Sequence, residues 1–388
     1  MLKCANHVFH TMYEYNGNMK NKHGWIVTTV AVLSILVFWL PFKLQLSNWL
    51  GINFANTGMS RIVQNFDGLN FLIVEKTWYN PEEISTNYQD ILSGRRPLYF
   101  SAHYPGLPAL IGIFDLVMTG PNALLTAIVV ENILLAMGIY YFALTIIKDK
   151  HKAMWVGIAA LFFPARMLAD RVVGSNEPLF IFFVLMSLAK NFNKKYWESA
   201  LWGVLAVLTR SPGILLFGAY ALQFTKKIKE FYPYLLIPIA LLLLWVVYGF
   251  RFGSFWAYFQ VGGNLNIYYP FAVFASNMDW VSGIWNEDII YLFALIFIGG
   301  VMLYHKIKLS GATWFYVLYG LFVMCVAHRD LSRYSLPLMP LVGVAFADLL
   351  DNKYVKIVAL GLIVPIFMYA WQFVLGNYQP IMDWTRYL

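Results

Sequence analysis

The sequence predicts an all-α, polytopic membrane protein with about 11 transmembrane helices, and three observations carry that prediction. Hydrophobic residues make up 60% of the 388 positions and charged residues only 12%, a composition too apolar for a soluble domain of this size. Aromatic residues alone make up 18% of the chain, with Trp and Tyr of the kind that settles at membrane interfaces. Apolar runs bounded by charge, Pro or Gly recur along the whole chain. The net charge of +8 therefore bears on topology and lipid phosphates, and no nucleic-acid partner is expected. Cys4 lies in a polar tail and Cys325 in an apolar run, which excludes a disulfide framework.

In chain order, residues 1–24 read as a cytoplasmic tail, and Trp25 to Phe42 as a retained signal anchor, because no small-residue cleavage pattern follows it. Spans are expected near 25–45, 121–147, 152–169, 177–191, 197–209 and 212–225, then 231–250, 287–305, 311–328, 334–350 and 355–376. The piece from Leu107 to Thr119 is short and carries Pro108 and Asp115, so it reads as a surface or re-entrant helix. If it does not cross, every lysine except Lys43 and Lys76 falls on one side, which the positive-inside rule makes the cytoplasm.

All ten arginines then lie on the other face or in the membrane near it. Guanidinium binds phosphate bidentately, so this set points to a phosphorylated ligand. The plainer alternative is ion pairing, as between Arg166 and Asp170 one helical turn on, and about half of the ten are expected to be structural.

Two outer segments are long, 46–120 and 251–286. In the first, the stretch Arg61–Tyr79, RIVQNFDGLNFLIVEKTWY, places Ile62, Phe66, Leu69 and Ile73 on one helical face and Asp67 with Asn70 on another. It reads as a surface helix whose Asp67 carboxylate can take a proton from a sugar hydroxyl. The second is aromatic, with Trp256, Tyr258, Tyr268, Trp280 and others forming an interfacial belt, or a surface for sugar rings or a lipid tail. No repeat or linker divides the chain, so residues 1–388 form one domain.

The remaining polar clusters all fall on the outer side. SAHYPGLP, 101–108, offers His103 as a hydrogen-bond partner for a phosphate or hydroxyl, or as a cap. RMLADRVVGSNEP, 166–178, puts Ser175, Asn176 and Glu177 at a helix start. An N-cap explains that cluster, and Glu177 there could also hold an acceptor hydroxyl or an arginine. LTRSPG, 208–213, buries Arg210 at a bend, which is costly unless it is paired or binds an anion. HRDLSRY, 328–334, brings His328, Arg329, Asp330, Arg333 and Tyr334 together. Arg329 and Arg333 there form either a phosphate clamp or a corner salt-bridged to Asp330.

FDGLNFLIVEKTWY resembles the WDG-type motif after the first span of PIG-V-like mannosyltransferases, members of the GT-C class of membrane glycosyltransferases. HYPGLPAL is similar to their FPLYPLL-type helix start, SNEPLFIFFVLMSLA to their SE-LF segment and WGVLAVLTRSPGILLF to their LTRPTG segment, in the same order. The likeness covers roughly residues 25–225, and more loosely the end around Arg333 and Tyr334. Phe66 stands where Trp is usual, and His103 where an aromatic is common.

The resemblance implies a GT-C-like fold and an inverting transfer of mannose, or a similar hexose, from a polyprenyl-phosphate sugar to a lipid or glycan acceptor outside the cytoplasm. It would act in the cell membrane of a prokaryote or the ER membrane of a eukaryote. Asp67 takes the role of base. Arg210, Arg333, Arg329 and His103 take the donor phosphate, while Glu177, Asn70, His328 and Tyr334 serve the acceptor or support the site. No cofactor and no metal are expected, because the outer motifs hold no adjacent carboxylate pair. A polytopic lipid or sugar transporter or flippase is the main alternative, but it should show repeat symmetry and midplane sites. A hydrolase or acyltransferase lacks a GxSxG or HExxH pattern.

Overall fold

The computed structural model describes residues 22–261, 266–276, 283–381 and 384–387. Most of the expected tail, with Lys3, Cys4 and Lys20, and part of the second outer segment, including Trp280, lie outside the described residues. The described chain is all-helical, and among these residues only isolated β-bridges occur. Cys325 is a free thiol.

Five helices are long and apolar enough to cross a membrane: Lys22–Leu44, Gly120–Ile147, Ile228–Phe252, Trp285–Ile307 and Lys353–Gly376. Lys150–Ala160 and Ala165–Arg171 form a sixth if counted as one span bent by 75°. The chain is thus an integral membrane protein. Helices also occupy the other stretches expected to cross, but Glu177–Phe192, Tyr196–Val207, Leu215–Gln223 and Gly311–Met324 are shorter. The Gly106–Asp115 helix has 10 residues, about 15 Å at 1.5 Å per residue, half of a hydrocarbon core. It packs against Gly68–Thr77 and Gly120–Ile147, and Lys76 Nζ pins its end through Asp115 at 2.7 Å.

The two ends of the bundle differ in chemistry. At one end, the loops around Lys152, Lys306 and Lys356 meet through acids: Lys152 and Lys306 share Asp348, and His151 and Lys356 share Asp351. At the opposite ends of Gly120–Ile147 and Gly311–Met324 sit Gly120 and the 325–334 connection. These lysines thus gather with acids at one end of the bundle.

The stretch 61–79 departs from the expected single surface helix. Ser60–Val63 and Gly68–Thr77 are separate helices, and Phe66 between them adopts a left-handed φ of 48°. Gly68–Thr77 is buried on every side except at Lys76, because the Gly106–Asp115 and Gly120–Ile147 helices and the outer loops cover it.

Several arginines act as structural clips. Arg171 is fully buried and donates to Leu161 O, Asn132 Oδ1 and Ser34 Oγ at 2.7–2.9 Å, joining three helices. Arg61 lies over Tyr378, and Arg386 donates to Asn87 O at 2.7 Å.

Candidate active site

Two close backbone approaches assemble the site. Gly68, directly after Asp67, packs against Gly174: a Cβ built on Gly174 would lie 2.5 Å from the Gly68 Cα, and one on Gly68 2.4 Å from Val63 O. Only glycine on both sides permits this contact, which brings the FDG turn onto the segment leading into Glu177. Gly106 meets the Arg210 turn in the same way. Its N–H donates to Leu208 O at 2.9 Å, and a Cβ there would lie 2.3 Å from Thr209 Oγ1. His103, three residues earlier, is thereby fixed near Arg210.

These approaches leave a cavity of about 210 Å³ bordered by Asp67, His103, Arg210, His328, Arg333 and Tyr334. Asp67 sits at the N-terminus of the Gly68–Thr77 helix. Its Oδ1 lies 3.5 Å from His103 Nε2 and accepts from Asn70 Nδ2 at 3.3 Å, and its Oδ2 lies 3.5 Å from Arg333 Nη2. A third of its side chain stays accessible. Burial raises the carboxyl pKa, but the adjacent His103 and the charges of Arg333 and Arg210 outweigh it and hold Asp67 well below the ordinary carboxylate range.

Glu177 joins the two arginines behind the cavity. Its carboxylate accepts from Arg333 Nε at 2.6 Å and Nη2 at 3.0 Å, from Arg210 Nη1, and from the Ser175 hydroxyl. It is 1% exposed, so these are desolvated, charge-assisted bonds. Asn176 holds the N-cap position of Glu177–Phe192 as expected but makes no side-chain capping bond. Its amide instead donates to Thr209 O at 2.9 Å and accepts from Arg210 Nη1 at 3.2 Å. The arginine draws the cap side chain away from the helix end.

The expected Arg166–Asp170 pair is present at 3.0 Å, and Arg166 also binds Asp330 at 2.9 Å. The Asp330 carboxylate is thus engaged across the site by Arg166, and its other oxygen stands 4.0 Å from His328 Nδ1. Arg329 and Arg333 do not share a helical face, because the helix there is only Leu331–Tyr334. Arg333 turns inward, while Arg329 is exposed and does not border the cavity.

Phe66 stacks on Phe373 and lies under the guanidinium groups of Arg333 and Arg166, at 4.5 and 5.2 Å. An aromatic face here contributes about 0.5–2 kcal/mol toward holding each cation.

The sequence reading missed Tyr99 and Asn266, which border the cavity, and left Tyr258 in the general aromatic belt. Tyr258 bonds Ser211 Oγ at 2.7 Å, next to Arg210. Its place among many aromatics gave no signal that this one reaches the site. Among the described residues, no group of three or more His, Cys, Asp or Glu side chains is arranged to hold a metal ion.

No family model matches the sequence, and no curated protein matches it. Among solved structures, the fold is similar to that of the archaeal oligosaccharyltransferase AglB from Archaeoglobus fulgidus, solved with an inhibitory peptide and a dolichol-phosphate. The TM-score is 0.55 at 12% identity, over 94% of this chain and 57% of that one. This chain therefore shares the fold of that neighbour, and it spans little more than half of the neighbour's length.

Proposed function

We propose that this protein is an inverting membrane glycosyltransferase that moves a hexose, most simply mannose, from a polyprenyl-phosphate sugar to a lipid or glycan acceptor on the non-cytoplasmic face. The observation that carries the reading is the arrangement of Asp67 and Arg333 across one cavity, 3.5 Å apart, with Arg210 tied to the same Glu177. A carboxylate suited to act as base and two guanidinium groups suited to bind phosphate border the same space.

In the proposed step the acceptor hydroxyl oxygen attacks the anomeric carbon, and its proton passes to Asp67. The bond from that carbon to the phosphate oxygen breaks, and the electron pair leaves with the lipid phosphate. Arg210 and Arg333 balance the developing charge. Asp67 as it stands is a weak base, because His103 and then the charges of Arg333 and Arg210 stabilise its anion. A phosphate on Arg333 would offset that field and make the carboxylate more basic when donor is in place.

The fold shared with an oligosaccharyltransferase supports this reading. So does the separation of the polar motifs from the lysine-rich end, which under the positive-inside rule would put the cavity outside the cytoplasm. The specificity for mannose and the PIG-V-like kinship rest on the sequence motifs. The test offers purified protein either polyprenyl-phosphate mannose or GDP-mannose, each with a lipid glycan acceptor and no other enzyme. Product is expected only from the lipid-linked sugar. Product from the nucleotide sugar alone would refute the donor assignment.

A further inference from the structure

His328 borders the cavity, yet neither the base role nor the phosphate pair uses it. The Asp330 backbone N–H donates to its Nδ1 at 3.1 Å. A ring nitrogen that accepts a hydrogen bond carries no proton, so the neutral imidazole must carry its proton on Nε2. Rotating the ring by half a turn would set Cδ2 against that N–H and forfeit the bond. The Asp330 carboxylate is the one group near His328 that favours a second proton, and it stands 4.0 Å from Nδ1 while Arg166 engages its other oxygen at 2.9 Å. Burial and the charges of Arg329, Arg333 and Arg166 disfavour the imidazolium and together outweigh Asp330. Tyr334 holds the ring edge-on at 5.6 Å.

We propose that His328 is a fixed, neutral hydrogen-bond donor that presents Nε2–H to an oxyanion in the cavity, namely the phosphate of the lipid donor. This rests on the glycosyltransferase reading and adds a third phosphate contact of a different kind. A neutral donor in a preset tautomer strengthens as charge develops on the leaving oxygen, and it needs no counter-ion of its own. Hydrogen bonds to charged groups of this kind correspond to rate effects on the order of 10- to 100-fold.

Two variants separate donation from packing. His328→Phe keeps a ring against Tyr334 but has no N–H, whereas His328→Gln loses the ring and keeps an N–H at similar reach. Turnover of a polyprenyl-phosphate hexose should fall about 10- to 100-fold in the Phe variant, and the Gln variant should recover most of that loss. Equal loss in both, or loss in Gln alone, would overturn the proposal.

A second readout does not depend on sugar transfer. In ¹⁵N-histidine-labelled protein, with the resonance identified by its absence from His328→Gln, the free protein should show an unprotonated Nδ1 and a protonated Nε2. Titration with polyprenyl phosphate should shift Nε2. An Nδ1–H tautomer, or an Nε2 signal indifferent to the lipid phosphate, would refute the assignment. Absence of turnover with a clear Nε2 response would instead count against the transfer reaction.

Discussion

Replacing Glu177 with Gln tests whether one buried carboxylate organises the site. The native side chain accepts three guanidinium N–H bonds and one hydroxyl bond while 1% exposed. A carboxamide has one accepting oxygen, and its NH₂ would face donors. Each bond to a charged group is worth about 1.5–3 kcal/mol, but they share one acceptor and do not sum. Removing one partner of a buried ion pair costs about 3–5 kcal/mol, and that is the expected loss of stability. Mixed-micelle unfolding of the purified protein measures it. The second leg is Arg210→Met, which removes the other charge. In the double variant the cost should be smaller than the sum of the singles by about 1–3 kcal/mol, since neither charge is left buried alone. Activity should not recover, because Arg210 is gone and Arg333 has lost its aim. Additivity within about 0.5 kcal/mol would show that Glu177 and Arg210 are not coupled, and the account of the site would fail.

Asp67→Asn should lower turnover at least about 100-fold, the low end of general-base effects, with donor binding largely kept. A near-normal rate would remove Asp67 from the chemistry. Because the folded-state pKa of Asp67 is depressed, its contribution to stability is fully present above the unfolded value near 3.9 and is lost as pH falls through the lower folded value. Stability measured from pH 7 down to about pH 5 should therefore show no step that Asp67→Asn abolishes. Arg333→Lys and Arg210→Lys should each reduce kcat/KM, since a point charge reproduces neither the fork on Glu177 nor a bidentate phosphate contact. Wild-type kinetics for both would reassign them to structure. Cysteines placed at Lys150 and Ser254 should label from opposite sides of the membrane, and same-side labelling would sink the proposed topology.

What the sequence made legible is the chemistry that interrupts apolar pattern. Asp67, His103, Arg210 and Arg333 stand out because ionisable groups in such a chain are costly and need a reason, and the structure gathers all four on one cavity. The Arg166–Asp170 pair was readable from i,i+4 spacing alone. That same spacing misled for Arg329 and Arg333, since it holds only where a helix exists to carry it, and the helix begins at Leu331. Helical periodicity through Phe66 misled for a related reason. A left-handed residue can end one helix and begin another without disturbing the hydrophobic pattern.

The harder thing to read was what brings distant motifs together, because the agents are glycines. Gly68, Gly106 and Gly174 look like ordinary turn residues in the sequence, yet a Cβ on any of them would fall 2.3–2.5 Å from a neighbouring segment. Close approach is a property of a pair, and neither partner's sequence reveals the other. The consequence is that the charged residues alone cannot specify the site: Asp67 reaches Arg333, and through it Glu177, only because residue 68 lies flat against residue 174. Gly174→Ala should therefore act on the chemistry without touching a polar group. A methyl there must push the Gly68 backbone away from a 2.5 Å contact, and small-to-large changes of this kind typically cost about 1–3 kcal/mol. Because the displaced residue adjoins Asp67, turnover should fall more steeply than stability. Loss of stability with wild-type turnover in the folded fraction would show that the glycine pair packs the bundle without positioning the base.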